Sequence, residues 1–296
     1  MVSIRVTERS IATNTLANLQ GNIAKLGDLQ NRLSSGKQLT KASDAPGDAV
    51  LAMQYRSDVT NLQQYSRNAD DGMAWLSTAD TALTSAVEQV NRAKELVLSG
   101  MSSGSGGSQD ARNAIALEMD NIRESVLNLA NTQYLDRPVF GGTTTGQIAY
   151  NEDGTYAGDT GQVLRTVSAS AKIRVDTSGD EVFGTGNTQV FDLLKKISDD
   201  LRTDPTQLED DLGKLNQATT TMQAGLSSVG ARVNRLTQLQ NYADSRVIDL
   251  NSQVSTVEDI DLPKTITELT LQQTAYQAAL AATAKVVQPS LVDFLR

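Results

Sequence analysis

Few places in this chain hold residues whose types and spacing could do chemistry. It has no histidine and no cysteine, which excludes Ser-His-Asp and Cys-His nucleophiles, thiolate metal ligands and disulfides. An enzyme would have to work with carboxylates, lysine, tyrosine or hydroxyls. The run from Gly100 to Ser108 is rich enough in glycine to cradle a phosphate, but no Gly-Lys-Ser/Thr follows it and no strand precedes it, so it reads as a hairpin loop between helices. Asn151-Glu152-Asp153-Gly154 could open a calcium loop, yet the sixth position is Tyr156 instead of Gly and the twelfth is Gln162 instead of Glu. A surface turn is the better reading. Asp199-Asp200 and Glu209-Asp210-Asp211 could pair as acid and base, but they fall at helix boundaries, where the helix dipole accounts for carboxylates near an N-terminus. No catalytic residue, metal ligand or cofactor is predicted, and the chain reads as a non-enzyme.

The elements that would carry any site are helical. Between Leu208 and Val257 apolar residues recur at alternating steps of four and three: Leu208, Leu212, Leu215, Thr219, Met222, Leu226, Val229, Val233, Leu236, Gln240, Ala243, Val247, Leu250, Val254 and Val257. Thirteen of these fifteen are apolar where a 39% apolar chain would give about six by chance, so the period predicts one heptad helix roughly 75 Å long. Such a stripe needs partner helices along its whole length. A second long helix is predicted from Ser43-Asp44-Ala45-Pro46, with a capping side chain ahead of a first-turn proline, to Leu98. Leu62, Ala69, Leu76, Leu83, Val90 and Val97 line it at steps of seven, and small Ala79, Ala86 and Ala93 on the companion positions let a neighbour approach closely. Ile115 to Leu129 and Val190 to Leu201 mark shorter helices, the second stopping at Asp204-Pro205.

Residues 132–187 differ in kind. Nine of the twenty-one glycines fall there, Lys172 to Asp176 alternates like a half-buried strand, and Asp153-Gly154 and Ser178-Gly179 are turn signals, so a small β-rich insertion is expected. Both chain ends carry amphipathic helices. The first shows Leu16, Leu19, Ile23, Leu26 and Leu33 and stops at Ser34-Ser35-Gly36. The last follows Pro263 with Ile266, Leu269, Tyr276, Leu280 and Val287, is expected to end at Pro289, and leads into Leu291, Phe294 and Leu295. Their apolar faces have no obvious partner except each other and other subunits, which makes these thirteen residues the candidate assembly interface.

Composition removes other partners. A net charge of −9 with scattered cations argues against nucleic acid, and the few cations near the last helix argue against a membrane surface. No stretch of eighteen apolar residues occurs and Met1 to Ser10 lacks an apolar run, so the chain, if exported, is expected to leave by a route that does not cleave a signal peptide.

Gln30-Asn31-Arg32-Leu33-Ser34-Ser35-Gly36-Lys37, Ala42-Ser43-Asp44-Ala45-Pro46 and Asn68-Ala69-Asp70-Asp71-Gly72 resemble the N-terminal signature of the flagellin superfamily. Gln272 to Lys285 with the ending Ser290 to Leu295 is similar to the hook-associated protein 3 family, the FlgL-type hook-filament junction proteins. Pro138 to Thr143, Tyr156 to Asp159 and Gly179 to Gly184 resemble the middle domain of that family. The resemblance implies a mainly α, flagellin-like fold: a terminal coiled coil from 1–42 and 261–296, a helical rod from 43–131 and 188–260, and an outward β domain at 132–187. It also implies a structural subunit forming rings between an adjacent hook-associated junction protein and flagellin. Export through the flagellar type III apparatus would follow, with an export chaperone on Tyr276, Leu280 and Val287. A flagellin filament subunit and an unrelated coiled-coil adaptor are the competing readings.

Overall fold

The computed structural model describes residues 8–102 and 108–294. The elements in order are α1 (Glu8–Ser35), α2 (Pro46–Ser102), α3 (Gln109–Ala130), the hairpin β1 (Gln133–Tyr134) and β2 (Arg137–Pro138), the pair β3 (Leu164–Thr166) and β4 (Lys172–Arg174), α4 (Gly179–Phe183), α5 (Val190–Thr203), α6 (Leu208–Glu258) and α7 (Leu262–Phe294). The chain divides into a terminal unit, Met1–Thr60 with Val247–Arg296, and a central unit, Asn61–Arg246.

The heptad reading of α6 is realised residue by residue. Leu208, Leu215, Met222, Val229, Leu236, Ala243 and Leu250 are buried, the companion positions are buried or half-buried, and none of the fifteen is exposed. In the central unit α6 runs antiparallel to α2: Gln240 Nε2 donates to Asp70 Oδ1 (2.6 Å), Thr237 Oγ1 meets Met73 Sδ (3.6 Å) and Ser66 Oγ donates to Asp244 Oδ1 (3.3 Å). The small companion positions of α2 extend beyond the three alanines. Gly72 and Gly100 occupy the same heptad lane and are buried. A Cβ on Gly72 would stand 2.9 Å from Val175 Cγ1 and 3.3 Å from Leu236 Cδ1, and one on Gly100 would stand 2.9 Å from Leu201 Cδ2. These glycines let neighbouring side chains reach the backbone of α2. Gly100 is therefore helical rather than the start of a loop, because packing against Leu201 outweighs its poor helix propensity.

α3 and α5 also pair antiparallel, with Ser198 Oγ donating to the Ala116 carbonyl (3.0 Å) and Arg123 Nε to that of Phe191 (3.3 Å). Residues 132–187 hold two short antiparallel ladders, an isolated bridge between Tyr150 and Tyr156, and the five-residue α4. The rest is held by a cluster of five aromatic rings and by side-chain bonds to backbone. Tyr150 sits 4.7 Å from Phe191, 5.8 Å from Phe183 and 5.1 Å from Tyr156, and Phe140 meets Phe183 edge-on at 5.3 Å. Asn131, at the end of α3, accepts from the N–H groups of Ala149 and Tyr150 (both 2.8 Å) and donates to the Tyr150 carbonyl (2.9 Å). Asp153-Gly154 makes the expected turn, Gly154 taking φ +94°. Ser178-Gly179 does not: it starts α4, which buries Val182 and Phe183. At the far end, α7 passes through Pro289 to Phe294, since a proline removes one hydrogen bond of the ladder without forcing the path to stop.

Candidate assembly surface

In the terminal unit, Ser34-Ser35-Gly36 closes α1 through Gly36 at φ +70°, whose N–H donates to the Arg32 carbonyl (2.9 Å). Asp44 does not cap α2 as expected. One of its oxygens instead accepts from the Thr40 hydroxyl (2.9 Å) and from the N–H groups of Lys41 (2.9 Å) and Thr40 (3.3 Å), which closes the 40–44 turn and holds the carboxyl below its usual range. α1 then packs antiparallel on α7, with Gln272 Nε2 donating to Asn22 Oδ1 at 3.1 Å.

This packing sorts the candidate residues into two sets. Leu19, Leu26 and Leu33 on α1, seven apart, are half-buried, as are Leu269 and Tyr276 on α7. Leu16 and Ile23, also seven apart, are exposed, with Ile266 and Leu280. The side chains of Val287, Leu291 and Phe294, and all of Leu295, lie outside the described residues. Sequence spacing alone named both sets but could not divide them, and it missed Val50, Met53 and Leu271, which are also exposed.

Ten of the sixteen large apolar side chains that are exposed among the described residues belong to the terminal unit, although it is the smaller of the two. Charge is divided in the opposite sense. The terminal unit has ten basic and eleven acidic residues, the central unit sixteen and twenty-four, so nearly all the net −9 belongs to the central unit. A near-neutral unit with outward apolar side chains can be crowded against copies of itself at little electrostatic cost, whereas a strongly charged one repels its like.

The residues first considered for chemistry have structural occupations. Asp153 accepts from the Thr155 N–H (2.8 Å) and hydroxyl (2.6 Å), so the calcium-like segment is a turn closed on itself. Glu209, Asp210 and Asp211 do sit in the first turn of α6. Asp199 and Asp200 lie toward the C-terminal end of α5, where the dipole opposes them, and Lys196 Nζ bridges Asp200 (2.6 Å) to the buried Asp211 (2.7 Å). Burial pushes the Asp211 carboxyl up. Of the Gly-rich run, residues 103–107 lie outside the described residues. Among the described residues no group of three or more acidic side chains is placed to hold a metal ion, and no helix is long and apolar enough to cross a membrane.

The signature residues of α2 form a docking point inside the central unit. Asn68 Nδ2 donates to the Thr166 carbonyl (2.7 Å), Asp70 accepts from Gln240, Asp71 accepts from Arg165 Nε (2.6 Å), and Gly72 admits Val175 and Leu236. Two further signature segments are tied together, for Asp159 accepts from the Thr143 N–H and hydroxyl (both 2.7 Å) and the Tyr156 hydroxyl lies 2.9 Å from the Phe140 carbonyl.

Residues 6–145 match the bacterial flagellin N-terminal helical region and residues 212–295 match the bacterial flagellin C-terminal helical region. The chain belongs to the bacterial flagellin family. It is thereby a structural component of the flagellum. Within the flagellin family it is 25% identical over 293 residues to flagellar hook-associated protein 3 of Escherichia coli, covering 90% of this chain and 91% of that one. It is 23% identical over 303 residues to flagellin of Bacillus subtilis, covering 96% and 97%. The crystal structure of Bacillus cereus FlgL matches with a TM-score of 0.60 at 21% identity, covering 68% of this chain and 99% of that one.

Proposed function

We propose that this flagellin-family chain is the hook-filament junction subunit, a ring-forming protein that adapts the hook to the flagellin filament. The observation that carries an assembly role is the concentration of exposed apolar side chains on a near-neutral terminal unit. The junction role is supported by the whole-length likeness to hook-associated protein 3 and by the fold shared with FlgL. On this reading residues 1–42 and 261–296 are the assembly domain, 43–131 with 188–260 the helical body, and 132–187 the outward domain. The chain contacts its own copies, an adjacent hook-associated junction protein and flagellin. It leaves the cell through the flagellar export apparatus, with an export chaperone covering Tyr276, Leu280 and Val287. It has no enzymatic activity and needs neither membrane nor nucleic acid.

The near-equal likeness to Bacillus subtilis flagellin favours one second reading, a filament subunit. Electron microscopy of the purified chain, alone and with isolated hooks carrying the adjacent junction protein, separates them. Short rings on the hooks and no filaments from the chain alone are expected; long filaments from the chain alone would transfer it to the filament role.

A further inference from the structure

Where the α1–α2 connection meets the α6–α7 break, two strand-like hydrogen bonds join the chain: the Gln38 N–H donates to the Glu258 carbonyl (2.6 Å) and the Ile260 N–H to that of Gly36 (3.1 Å). Four charged side chains close over them. Lys37 Nζ pairs with Asp259 and lies 3.5 Å from Glu258, and Arg56 on α2 pairs with the same Glu258 oxygen. The Glu258 side chain is only 7% exposed, so its charge is withdrawn from water and compensated by two cations. Ser255 Oγ donates to the other Asp259 oxygen.

The helix pair beyond this point has little to hold it. None of residues 13–35 of α1 is buried, and between 262 and 284 on α7 only Thr265 is, in the first turn, where it bonds to the Asp261 carbonyl. A two-helix seam that is only half-buried opens readily in water. We infer that the Lys37-Arg56-Glu258-Asp259 clasp, and not the apolar seam, sets the point from which the α1–α7 pair becomes ordered: the pair opens from its far ends while its root stays closed. This inference does not depend on the junction role.

Amide hydrogen exchange on the full chain tests it. Peptides covering Gln38 and Ile260 are expected to exchange at least tenfold more slowly than those covering 13–30 and 270–284. Glu258→Gln is expected to erase that difference while 215–243 keeps its protection. Should Glu258→Gln unfold the chain, Lys37→Met, at a partly exposed position, is expected to lower the same protection severalfold. Root amides that exchange as fast as the far ends in the wild type, or that stay protected in a folded Glu258→Gln or Lys37→Met chain, would overturn the inference.

Discussion

Leu280→Asp tests whether the outward face of α7 is reserved for assembly. Leu280 is 44% exposed, so the free chain realises little more than half of the ~1.5–3 kcal/mol that complete burial of a leucine yields, or about 1 kcal/mol. The poorer helix propensity of aspartate adds roughly 0.5 kcal/mol. The free variant should therefore lose about 1.5 kcal/mol, all of it within the terminal unit. Leu83→Ala is the contrasting control, because Leu83 is fully buried in the central unit and its truncation should cost about 2–5 kcal/mol. If this face packs against a neighbour in a ring, the same aspartate would become an unpaired buried carboxylate in every subunit, at several kcal/mol each. Thermal unfolding followed by circular dichroism reads the first effect and electron microscopy of rings on isolated hooks the second. The expected result is an unchanged central transition with no rings. Loss of the central transition would mean that Leu280 is ordinary core, and rings at the wild-type level would mean that this face is not used.

Three further expectations concern the central unit. Leu135 and Asp136 form the two-residue turn of the β1–β2 hairpin at φ +49° and +60°, and Leu135 is 74% exposed, so Leu135→Asn should raise stability by about 0.5–1 kcal/mol in a denaturant melt. Asn131→Ala removes three hydrogen bonds and strands backbone groups of the buried Ala149 and Tyr150, which should cost about 2–4 kcal/mol and show as a lower melting temperature. The Thr143 hydroxyl and N–H hold the Asp159 carboxyl below its usual range. A group depressed on folding stabilises at pH values above its unfolded pKa and loses that contribution as pH falls through the folded one. Denaturation midpoints should thus fall less steeply on acidification in Asp159→Asn than in the wild type, and parallel curves would refute the assignment.

The long helices were legible because a heptad is a local property repeated many times; a single wrong residue, such as Gln240, does not break the period. Errors arose where one residue type serves two purposes. Ser178-Gly179 suits a hairpin turn or a helix start, and what decides is long-range packing: Phe183 enters an aromatic cluster with Phe140, Tyr150 and Phe191, and Val182 faces Gly225 of α6. Gly100 looked like loop because its helical role depends on Leu201 across the core. Nothing beside Asn131 in the chain announces that it will staple residues 149 and 150. For the assembly surface, spacing identified the apolar lanes but could not assign them. Leu16-Ile23 and Leu19-Leu26-Leu33 obey the same period, and only the position of α7 separates the lane that is partnered from the lane that is not.

Trp75 is buried against Tyr134 at 5.6 Å with the Arg137 guanidinium 5.5 Å over its ring, and it is the only tryptophan in the chain. Its fluorescence is therefore a built-in, label-free reporter of the central unit, blind to the terminal unit, whose only ring chromophores among tyrosines and tryptophan are Tyr55 and Tyr276. An assembly step confined to the terminal helices will be optically dark at Trp75. A shift in its emission on assembly would signal that the step alters the core around α2 as well.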